Sequence, residues 1–192
     1  MNDVARAAAV ILEGGLVVYP TDTLYGLGAS ALDARAVQHV YEVKQRPRDM
    51  PLPVAVGNVD DIETVAIMTD LAWTLAEALL PGALTLVLRK RREVPRQVAG
   101  DTVAVRVPGH PVARRICRTA GPVTATSANL HGGTLPADVA GAREQLGGLV
   151  DLYLDGGRLP GVPSTVVDAT GQDITVIREG AIAEEHLYDI TC

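Results

Sequence analysis

The stretch GGLVVYPTDTLYGLG, residues 14–28, decides the fold class, because it joins the end of a helix to a buried strand and a polar segment. The glycine pair ends a preceding helix that runs through Leu12 and that Asp3 can cap. The apolar run 16–20 is short enough for a buried strand, and Pro20 stops it. A helix followed at once by a strand indicates the start of an alternating α/β pattern.

The same alternation continues downstream of this stretch. Further helices are predicted after Asp33, over 70–80, from Pro111 to Thr119 and over 137–146. Further strands are predicted over 52–57, 84–90, 102–108 and 123–127, and in the late segments LVDLYLD, STVVDAT and DITVIRE. The predicted class is α/β (α+β), with a twisted mixed parallel/antiparallel sheet flanked by helices. No repeat or linker-like cluster divides the chain, so 1–192 is predicted to be one domain.

Composition excludes several classes of protein. With 192 residues, 47% hydrophobic and 21% charged, the chain is not intrinsically disordered. A net charge of −6 argues against holding nucleic acid through a global positive field. Two cysteines form neither a disulfide framework nor a zinc site. The absence of a bilayer-length apolar run and of a basic n-region predicts no membrane association and a cytoplasmic location.

Common catalytic motifs are missing, and one apparent dinucleotide-binding motif does not fit its position in the sequence. The sequence has no P-loop, no H-E-x-x-H and no G-x-S-x-G. Residues 26–31 fit G-x-G-x-x-A, but six residues separate them from the preceding strand, whereas in a Rossmann oxidoreductase the glycines follow the strand directly. We therefore interpret the segment as a tight turn that feeds a helix.

Polar side chains follow two of the predicted strands. The loop after Pro20 carries Thr21, Asp22 and Thr23, which form either a ligand-binding loop or an Asx or ST turn. The segment 124–129 places small hydroxyl and amide groups after another strand, either as ligand contacts or as a helix N-cap. Ser127 has no histidine obviously placed to activate it, so it is a poor candidate nucleophile.

Three groups of cations stand out, each with a plainer alternative. Lys44 and Arg46 follow a helix, where cations stabilise the dipole, but they point the same way if the backbone is extended before Pro47, which would make an anion clamp. Strict alternation places Arg106 on the face of Ala104 and Thr102, unless it is a surface residue. The basic run 89–96 is a solvated strand end or an RNA patch.

Seven segments, taken in order, resemble the YrdC-like family of single-domain threonylcarbamoyl-AMP synthases. They are GGLVVYPTDTLYGLG, KQRPRDMPLPVAV, PGALTLVL, TVAVRVPGHP, TATSANLHG, STVVDATG and IREG, and they span about residues 14–180. Lys44-x-Arg46 with Ser127-x-Asn129 resembles the K-x-R…S-x-N signature of that family. The length is similar to that of the family's short form, which lacks a second C-terminal domain.

The resemblance implies a reaction and a fold. L-threonine and bicarbonate would form N-carboxythreonine, whose new carboxylate attacks the α-phosphate of ATP and expels pyrophosphate. The product, threonylcarbamoyl-AMP, would pass to a separate transferase that modifies adenosine 37 of tRNAs reading ANN codons. Binding of tRNA by this chain is possible but not required. The fold implied is YrdC-like, with a concave, positively charged cavity.

The resemblance also implies roles for individual residues. Lys44 and Arg46 would hold the triphosphate and act in catalysis. Mg²⁺ would offset part of the negative charge of the triphosphate, and no residue is predicted to be a metal ligand. The remaining ATP-binding residues would be Met50, Thr102, Ser127, Asn129 and Arg178. The threonine pocket would be formed by Thr23, Arg106, Ala125 and Ser164, with Arg106 as a bidentate partner of the carboxylate.

Three positions depart from the family pattern. Met50 stands where asparagine is common, Ala55 where histidine is common, and Leu135 where a small hydroxyl residue is common. These departures leave open a paralogue of altered substrate. Two such alternatives are a carbamoyltransferase, which would normally carry zinc-finger and kinase-like partner domains, and a double-stranded RNA-binding module built on the run 89–96.

Overall fold

The computed structural model describes residues 3–191 as six α-helices, two short 3₁₀ helices and eleven strands. The helices are α1 Asp3–Leu12, α2 Ala34–Lys44, α3 Asp70–Leu79, α4 Pro111–Ala120, α5 Val139–Leu146 and α6 Glu184–Thr191, and the 3₁₀ helices are Asp60–Thr64 and Gly147–Leu149. The early strands are β1 Val17–Pro20, β2 Tyr25–Gly28, β3 Val54–Ala55, β4 Ala66–Ile67, β5 Leu84–Lys90 and β6 Thr102–Arg106. The later strands are β7 Val123–Thr124, β8 Thr126–Ser127, β9 Leu152–Tyr153, β10 Thr165–Asp168 and β11 Thr175–Arg178. None of the helices described here is long and apolar enough to cross a bilayer.

The strands form two mixed sheets, which confirms the predicted class. The smaller sheet has the order β8-β2-β1-β9, in which β1 is antiparallel to β2 and parallel to β9. The larger has the order β11-β10-β5-β6-β3-β7, and β4 also pairs with β5. Strand β5 is parallel to β10 and antiparallel to β6. Both pairing types therefore occur in each sheet, and helices cover the buried faces.

Local signals explain several helix ends. The Asp33 carboxylate accepts from the backbone N–H groups of the first turn of α2, as an N-cap should. Pro111 is the first residue of α4, where its missing N–H costs nothing, and His110 caps that helix. Asp3 lies inside the first turn of α1 rather than in front of it, where its charge still favours the helix dipole.

Two buried clusters form the core. The larger joins α2, α3 and the interior of the larger sheet, with residues such as Val37, Leu75 and Leu86 fully buried. The smaller packs α1 and α4 against β1, through residues such as Ile11 and Ile116. Burial of this apolar surface is the main favourable contribution to folding, at roughly 25 cal/mol per Å².

The structure corrects the interpretation of residues 25–28. They form strand β2, antiparallel to β1, and not a turn that feeds a helix. The two glycines of this strand are required by a close approach, because a Cβ on Gly28 would lie 2.6 Å from the ring of Tyr19 and one on Gly26 would lie 3.0 Å from it. A glycine-rich strand of four residues carries almost no strand signal in the sequence.

The predicted strand 123–127 is also divided. Val123 and Thr124 pair with β3 in the larger sheet, whereas Thr126 and Ser127 pair with β2 in the smaller one. The chain thus changes sheets at Ala125. Strands predicted over 52–57 and 149–155 shrink to two residues each, and helix α6 was not predicted.

Candidate active site

One cavity of about 340 Å³ takes its walls from both sheets. This volume falls in the range of small-molecule sites, roughly 300–1,000 Å³. Among the described residues, its lining contains three arginines, Arg46, Arg106 and Arg178, and neither aspartate nor glutamate. The hydroxyl and small side chains on the wall are Thr21, Thr23, Thr85, Ala125, Thr126, Ser127 and Ser164. An anion entering this space meets guanidinium groups and hydroxyls.

Arg106, the last residue of β6, is held by a dense network at one end of the cavity. Its Nη2 donates to both carboxylate oxygens of Asp22 at 3.0 Å and to the Gly82 carbonyl at 2.8 Å. Its Nη1 donates to Thr23 Oγ1 at 2.9 Å, while the buried Nε has no partner. Burial lowers the pKa of Arg106, and the Asp22 carboxylate opposes that shift. The positive charge of the Arg106 guanidinium is thus largely compensated by the Asp22 carboxylate.

The loop 21–24 is an ST turn, and Thr21, Thr23 and Leu24 also line the cavity, so the turn is confirmed and ligand binding by this loop stays a prediction. Thr21 Oγ1 accepts from the N–H groups of Thr23 and Leu24 at 3.2 and 3.1 Å. Asp22 then reaches away from the turn, where its Oδ1 also accepts from the Gly109 N–H at 2.9 Å. The carboxylate therefore ties this loop to the segment between β6 and α4.

A hydroxyl pair lies on the wall contributed by the larger sheet. Thr85 Oγ1 of β5 and Ser164 Oγ are 2.8 Å apart and both are buried. Arg178 of β11 donates from Nη2 to the Ser164 carbonyl at 2.8 Å. Because each hydroxyl carries one proton, the pair satisfies one donor internally and leaves the other for the cavity.

Lys44 and Arg46 do not point the same way. Gln45, between them, has a φ of 51°, and the helix ends in a Schellman motif in which the Arg46 N–H donates to the Tyr41 carbonyl. Arg46 then lines the cavity, held by the carbonyls of Met50 and Pro51 at 3.2 and 3.0 Å. The left-handed residue reverses the chain, so extended geometry before Pro47 does not align the two cations.

Lys44 turns into the protein and does not line the cavity. Its side chain is 2% exposed, and Nζ donates to the carbonyls of Ser127 and Asn129. Burial and, secondarily, the charge of Arg46 lower the pKa of Lys44 to about 7. In the ligand-free protein the donors of this ammonium are taken up by oxygens of Ser127 and Asn129, and its contact with a bound phosphate stays a prediction.

Of the eleven predicted site residues, seven line this cavity and four do not. The seven are Thr23, Arg46, Arg106, Ala125, Ser127, Ser164 and Arg178. The four outside the lining are Lys44, Met50, Thr102 and Asn129.

Besides Lys44, three predicted site residues lie outside the cavity, each for a different reason. Thr102 begins β6, about 13 Å of strand from Arg106, so the two share a face but not the cavity. Met50 is 39% exposed and contributes only its carbonyl to the region. Asn129 is buried, with its amide donating to the Gly133 carbonyl at 2.7 Å.

The three departures from the family pattern also separate in space. Leu135 lines the cavity, whereas Ala55 is fully buried in the smaller core cluster. Met50 lies outside, as described above. Only Leu135 therefore changes the surface that a ligand would meet directly in this conformation.

Sequence reasoning missed three residues of the site. Asp22 appeared only as part of a polar loop, although it pairs with Arg106. Thr85 and Tyr19 lie within predicted strands and are not predicted as site residues, but both line the cavity. Tyr19 is fully buried, burial raises its pKa, and its hydroxyl donates to the Thr124 carbonyl at 3.1 Å. A hydroxyl inside an apolar strand is the one signal that could have pointed to Thr85.

Two further predictions concern metals and the basic run. Within residues 3–191, no group of three or more His, Cys, Asp or Glu side chains is placed to hold a metal ion. In the basic run, Arg89, Arg91, Arg92 and Arg96 are exposed, as a solvated strand end would be. Neither the RNA-patch interpretation nor the absence of protein metal ligands is tested by these placements.

Comparison with known proteins gives concordant matches along the chain. The family model described as Sua5_yciO_yrdC, telomere recombination, matches residues 9–180. A threonylcarbamoyl-AMP synthase of Pyrococcus abyssi is 40% identical over 189 residues, which cover 96% of this chain and 56% of that protein. The chain therefore spans about half the length of that relative.

Two solved structures are similar to this chain in fold as well as in sequence. The crystal structure of P. abyssi Sua5 complexed with L-threonine matches with a TM-score of 0.94 at 39% identity, covering 97% of this chain and 56% of that one. The crystal structure of Escherichia coli YciO matches with a TM-score of 0.85 at 29% identity, covering 94% and 90%. The fold of this chain is thus shared with both proteins.

Proposed function

The chain belongs to the Sua5/YciO/YrdC family, and on that premise we propose that it is a threonylcarbamoyl-AMP synthase. It would use ATP, L-threonine and bicarbonate, release pyrophosphate and act as a nucleotidyltransferase in the formation of N6-threonylcarbamoyladenosine (t6A) at position 37 of tRNAs reading ANN codons. The similarity to relatives of that name supports the proposal.

A single observation of this structure carries the proposal furthest. The cavity combines three arginines with hydroxyl side chains, and no carboxylate of the described residues lies on its wall. Guanidinium groups bind phosphate and carboxylate oxygens through paired donors. ATP, bicarbonate and the threonine carboxylate all carry negative charge, so the wall matches the proposed substrates in charge although the chain as a whole is acidic.

The proposal divides the cavity between two substrates. Arg46, Ser127 and Arg178 would face the nucleotide. Thr23, Arg106, Ala125 and Ser164 would form the threonine pocket, in which the hydroxyl pair with Thr85 offers a donor to a substrate oxygen. Because Asp22 already occupies Nη2 of Arg106, a substrate carboxylate would have to share that guanidinium with Asp22.

The reaction requires the protein to position the substrates and to stabilise negative charge, and it does not require a nucleophilic side chain. The threonine amine and bicarbonate lose water to form N-carboxythreonine, whose carboxylate oxygen bonds to the α-phosphorus as the bond to the pyrophosphate oxygen breaks. Negative charge then grows on the leaving pyrophosphate, and Arg46 would stabilise it. The enclosed wall would hold the two reactants at bonding distance and limit hydrolysis of the carbamate.

Magnesium fits this cavity only as a companion of the nucleotide. Mg²⁺ prefers carboxylate and phosphate oxygens and keeps several waters. Among the described residues, the lining offers hydroxyl and carbonyl oxygens but no carboxylate. We therefore assign no residue of this chain as a metal ligand.

The proposal extends to the setting in which the reaction would occur. The adenylate is a reactive mixed anhydride, so a separate transferase would have to accept it close to its site of release. The activity is assigned to 1–192 as one domain, working in the cytoplasm and without a requirement for tRNA.

Pyrophosphate release tests the proposal directly. The assay contains ATP, L-threonine, bicarbonate and Mg²⁺, and each component is omitted in turn. We expect release only from the complete mixture, and mass spectrometry should detect threonylcarbamoyl-AMP. Equal release without threonine would show that the amino acid is not a substrate and would point to a paralogue of altered specificity.

Substrate analogues then test the threonine pocket. Serine lacks the γ-methyl group, which limits the loss to about 1–3 kcal/mol in an apolar pocket. Valine keeps the shape but leaves a buried hydroxyl of the pocket unpaired, so it should be rejected more strongly. Valine reacting faster than serine would contradict the assignment of Thr23 and Ser164.

A further inference from the structure

We propose that Lys44 is a positioning residue: its ammonium holds the loop 127–133 in shape and so places Ser127 on the cavity wall. We call this arrangement the Lys44 clamp. It rests on the proposed function only where it names the nucleotide as the ligand on that wall. It differs from the predicted role of Lys44, which was direct contact with the triphosphate.

The clamp consists of four hydrogen bonds around the end of α2. Lys44 Nζ donates to the Ser127 carbonyl, to the Asn129 carbonyl at 2.6 Å and, more weakly, to Asn129 Oδ1 at 3.5 Å. In return, the Lys44 carbonyl accepts from the His131 N–H at 2.8 Å. One residue thus both donates to the loop and accepts from it.

The loop is closed around the ammonium by its own side chains. Ser127 Oγ donates to Asn129 Oδ1 at 2.6 Å, and Asn129 Nδ2 donates to the Gly133 carbonyl at 2.7 Å. The Gly133 N–H in turn donates to the Leu130 carbonyl. If Lys44 were removed, the Asn129 carbonyl would lose its donor, while the Ser127 carbonyl and Asn129 Oδ1 would keep only donors from the loop itself, so the loop would have to rearrange or admit water.

The position of Lys44 makes a direct phosphate contact costly. An ammonium has three donors, and here all three have acceptors. Within residues 3–191 no carboxylate lies within 4 Å of Nζ, so these oxygens are what compensates its burial. Reaching a ligand in the cavity would break the bonds that shape the neighbouring wall.

The wall that depends on the clamp faces the cavity at Ser127. This residue ends β8, where it pairs with Gly26 of β2, and its carbonyl is the first acceptor of the clamp. The Ala128 N–H still donates to the Tyr25 carbonyl of β2, but the residues after Ala128 leave the sheet, so sheet pairing alone does not fix their path. The clamp supplies the restraint that the sheet does not.

Hydrogen exchange in the ligand-free protein tests the clamp without any assumption about function. The variant is Lys44→Met, which keeps the length of the side chain and removes its donors. The control is Arg46→Met, which removes a neighbouring cation that bonds only to Met50 and Pro51. We expect amides of 128–133 to exchange at least tenfold faster in Lys44→Met and at the wild-type rate in the control.

Calorimetric titration with ATP and with L-threonine separates positioning from mere structural support. We expect Lys44→Met, well below its melting temperature, to bind ATP about tenfold more weakly and threonine within twofold of wild type. Faster exchange with unchanged ATP affinity would overturn the positioning role. Weaker ATP binding with unchanged exchange would show a direct contact and would also overturn it.

If Lys44→Met does not fold, a second variant tests the same loop. Asn129→Ala cuts the same loop from within and leaves α2 intact. It must show the same pattern of exchange over 128–133, and protection equal to wild type would contradict the clamp. If wild-type protein fails to bind ATP, the proposed function fails while the exchange result still decides the clamp.

Discussion

Arg106 and Arg46, two of the three arginines on the cavity wall, are held differently, and we call the surroundings of each a cationic end of the cavity. At one end, Arg106 is paired with the Asp22 carboxylate at 3.0 Å and is almost fully buried. At the other, Arg46 is half-buried and held by main-chain carbonyls, without a carboxylate partner among the described residues. A carboxylate cancels the charge of its partner, whereas a carbonyl dipole orients a cation and leaves its charge in place.

This difference indicates how one cavity could bind the two proposed substrates, the nucleotide and the amino acid, through different interactions. The end that keeps its charge suits a polyanion such as a triphosphate, because several negative charges must be offset there. The Arg106 end suits a ligand recognised by shape and by hydrogen bonds, because Asp22 compensates the charge of Arg106 itself. Selectivity for a small amino acid would then come from fit, and affinity for the nucleotide from charge.

The largest effect is expected at the end that keeps its charge. Arg46→Met removes a cation on the cavity wall, so kcat/KM for ATP should fall roughly 100-fold or more if the contact strengthens in the transition state. Steady-state pyrophosphate release measures it. Arg48→Met is the matched control, because Arg48 is an exposed arginine outside the cavity and its pair with Glu42 is long, at 3.7 Å. Wild-type kinetics in Arg46→Met would erase the distinction between the two ends.

The Arg106 end should instead respond in stability. Asp22→Ala leaves the buried Arg106 guanidinium without its carboxylate and the Gly109 N–H without its acceptor. We expect the free energy of unfolding to fall by about 2–3 kcal/mol, somewhat less than for a fully buried pair because Asp22 is partly exposed. Urea denaturation measures the change. An unaltered midpoint would mean that Gly82 and Thr23 alone hold Arg106.

A pH dependence sharpens the contrast, because no carboxylate of residues 3–191 forms an ion pair with Lys44. Burial lowers its pKa from 10.5 to about 7, so from pH 7 to pH 9 the folded protein releases a proton that the unfolded chain keeps. Stability should therefore rise with pH, by about 2 kcal/mol over this window, since one pKa unit corresponds to about 1.36 kcal/mol. Urea denaturation at both pH values, compared with Lys44→Met, isolates this group. A difference that stays constant or shrinks would contradict the sign.

The smallest effect is expected for Arg106→Lys. A lysine keeps the charge but loses the fork of donors that serves Thr23, Asp22 and Gly82 together. The KM for threonine should rise about 5- to 30-fold, equivalent to about 1–2 kcal/mol, while the KM for ATP stays close to wild type. Loss of ATP affinity with threonine affinity retained would exchange the roles assigned to the two ends.

Elements with strong local signals could be predicted from the sequence almost to the residue. Strand β5 covers 84–90 as expected, α2 begins after its Asp33 cap, and α4 begins at Pro111. Strand β2 could not be predicted, because its two glycines are selected by contact with the ring of Tyr19 rather than by strand propensity.

The site shows the same limit. The sequence identified the cations and hydroxyls at the ends of strands, because polar residues after buried strands are conspicuous. It could not identify Asp22 as the partner of Arg106, since the two are 84 positions apart. It also could not show that the chain changes sheets at Ala125, which brings Ser127 to the cavity.

The sequence by itself determined the class of fold, the family resemblance and the chemical character of the site, because capping, periodicity and motif order are properties of neighbouring residues. Only the tertiary structure decided which of Lys44 and Arg46 lines the cavity. Gln45 adopts a left-handed φ of 51°, which sends Lys44 into the loop 127–133 and Arg46 into the cavity. That choice depends on acceptors more than 80 residues away, and no local pattern in the chain records it.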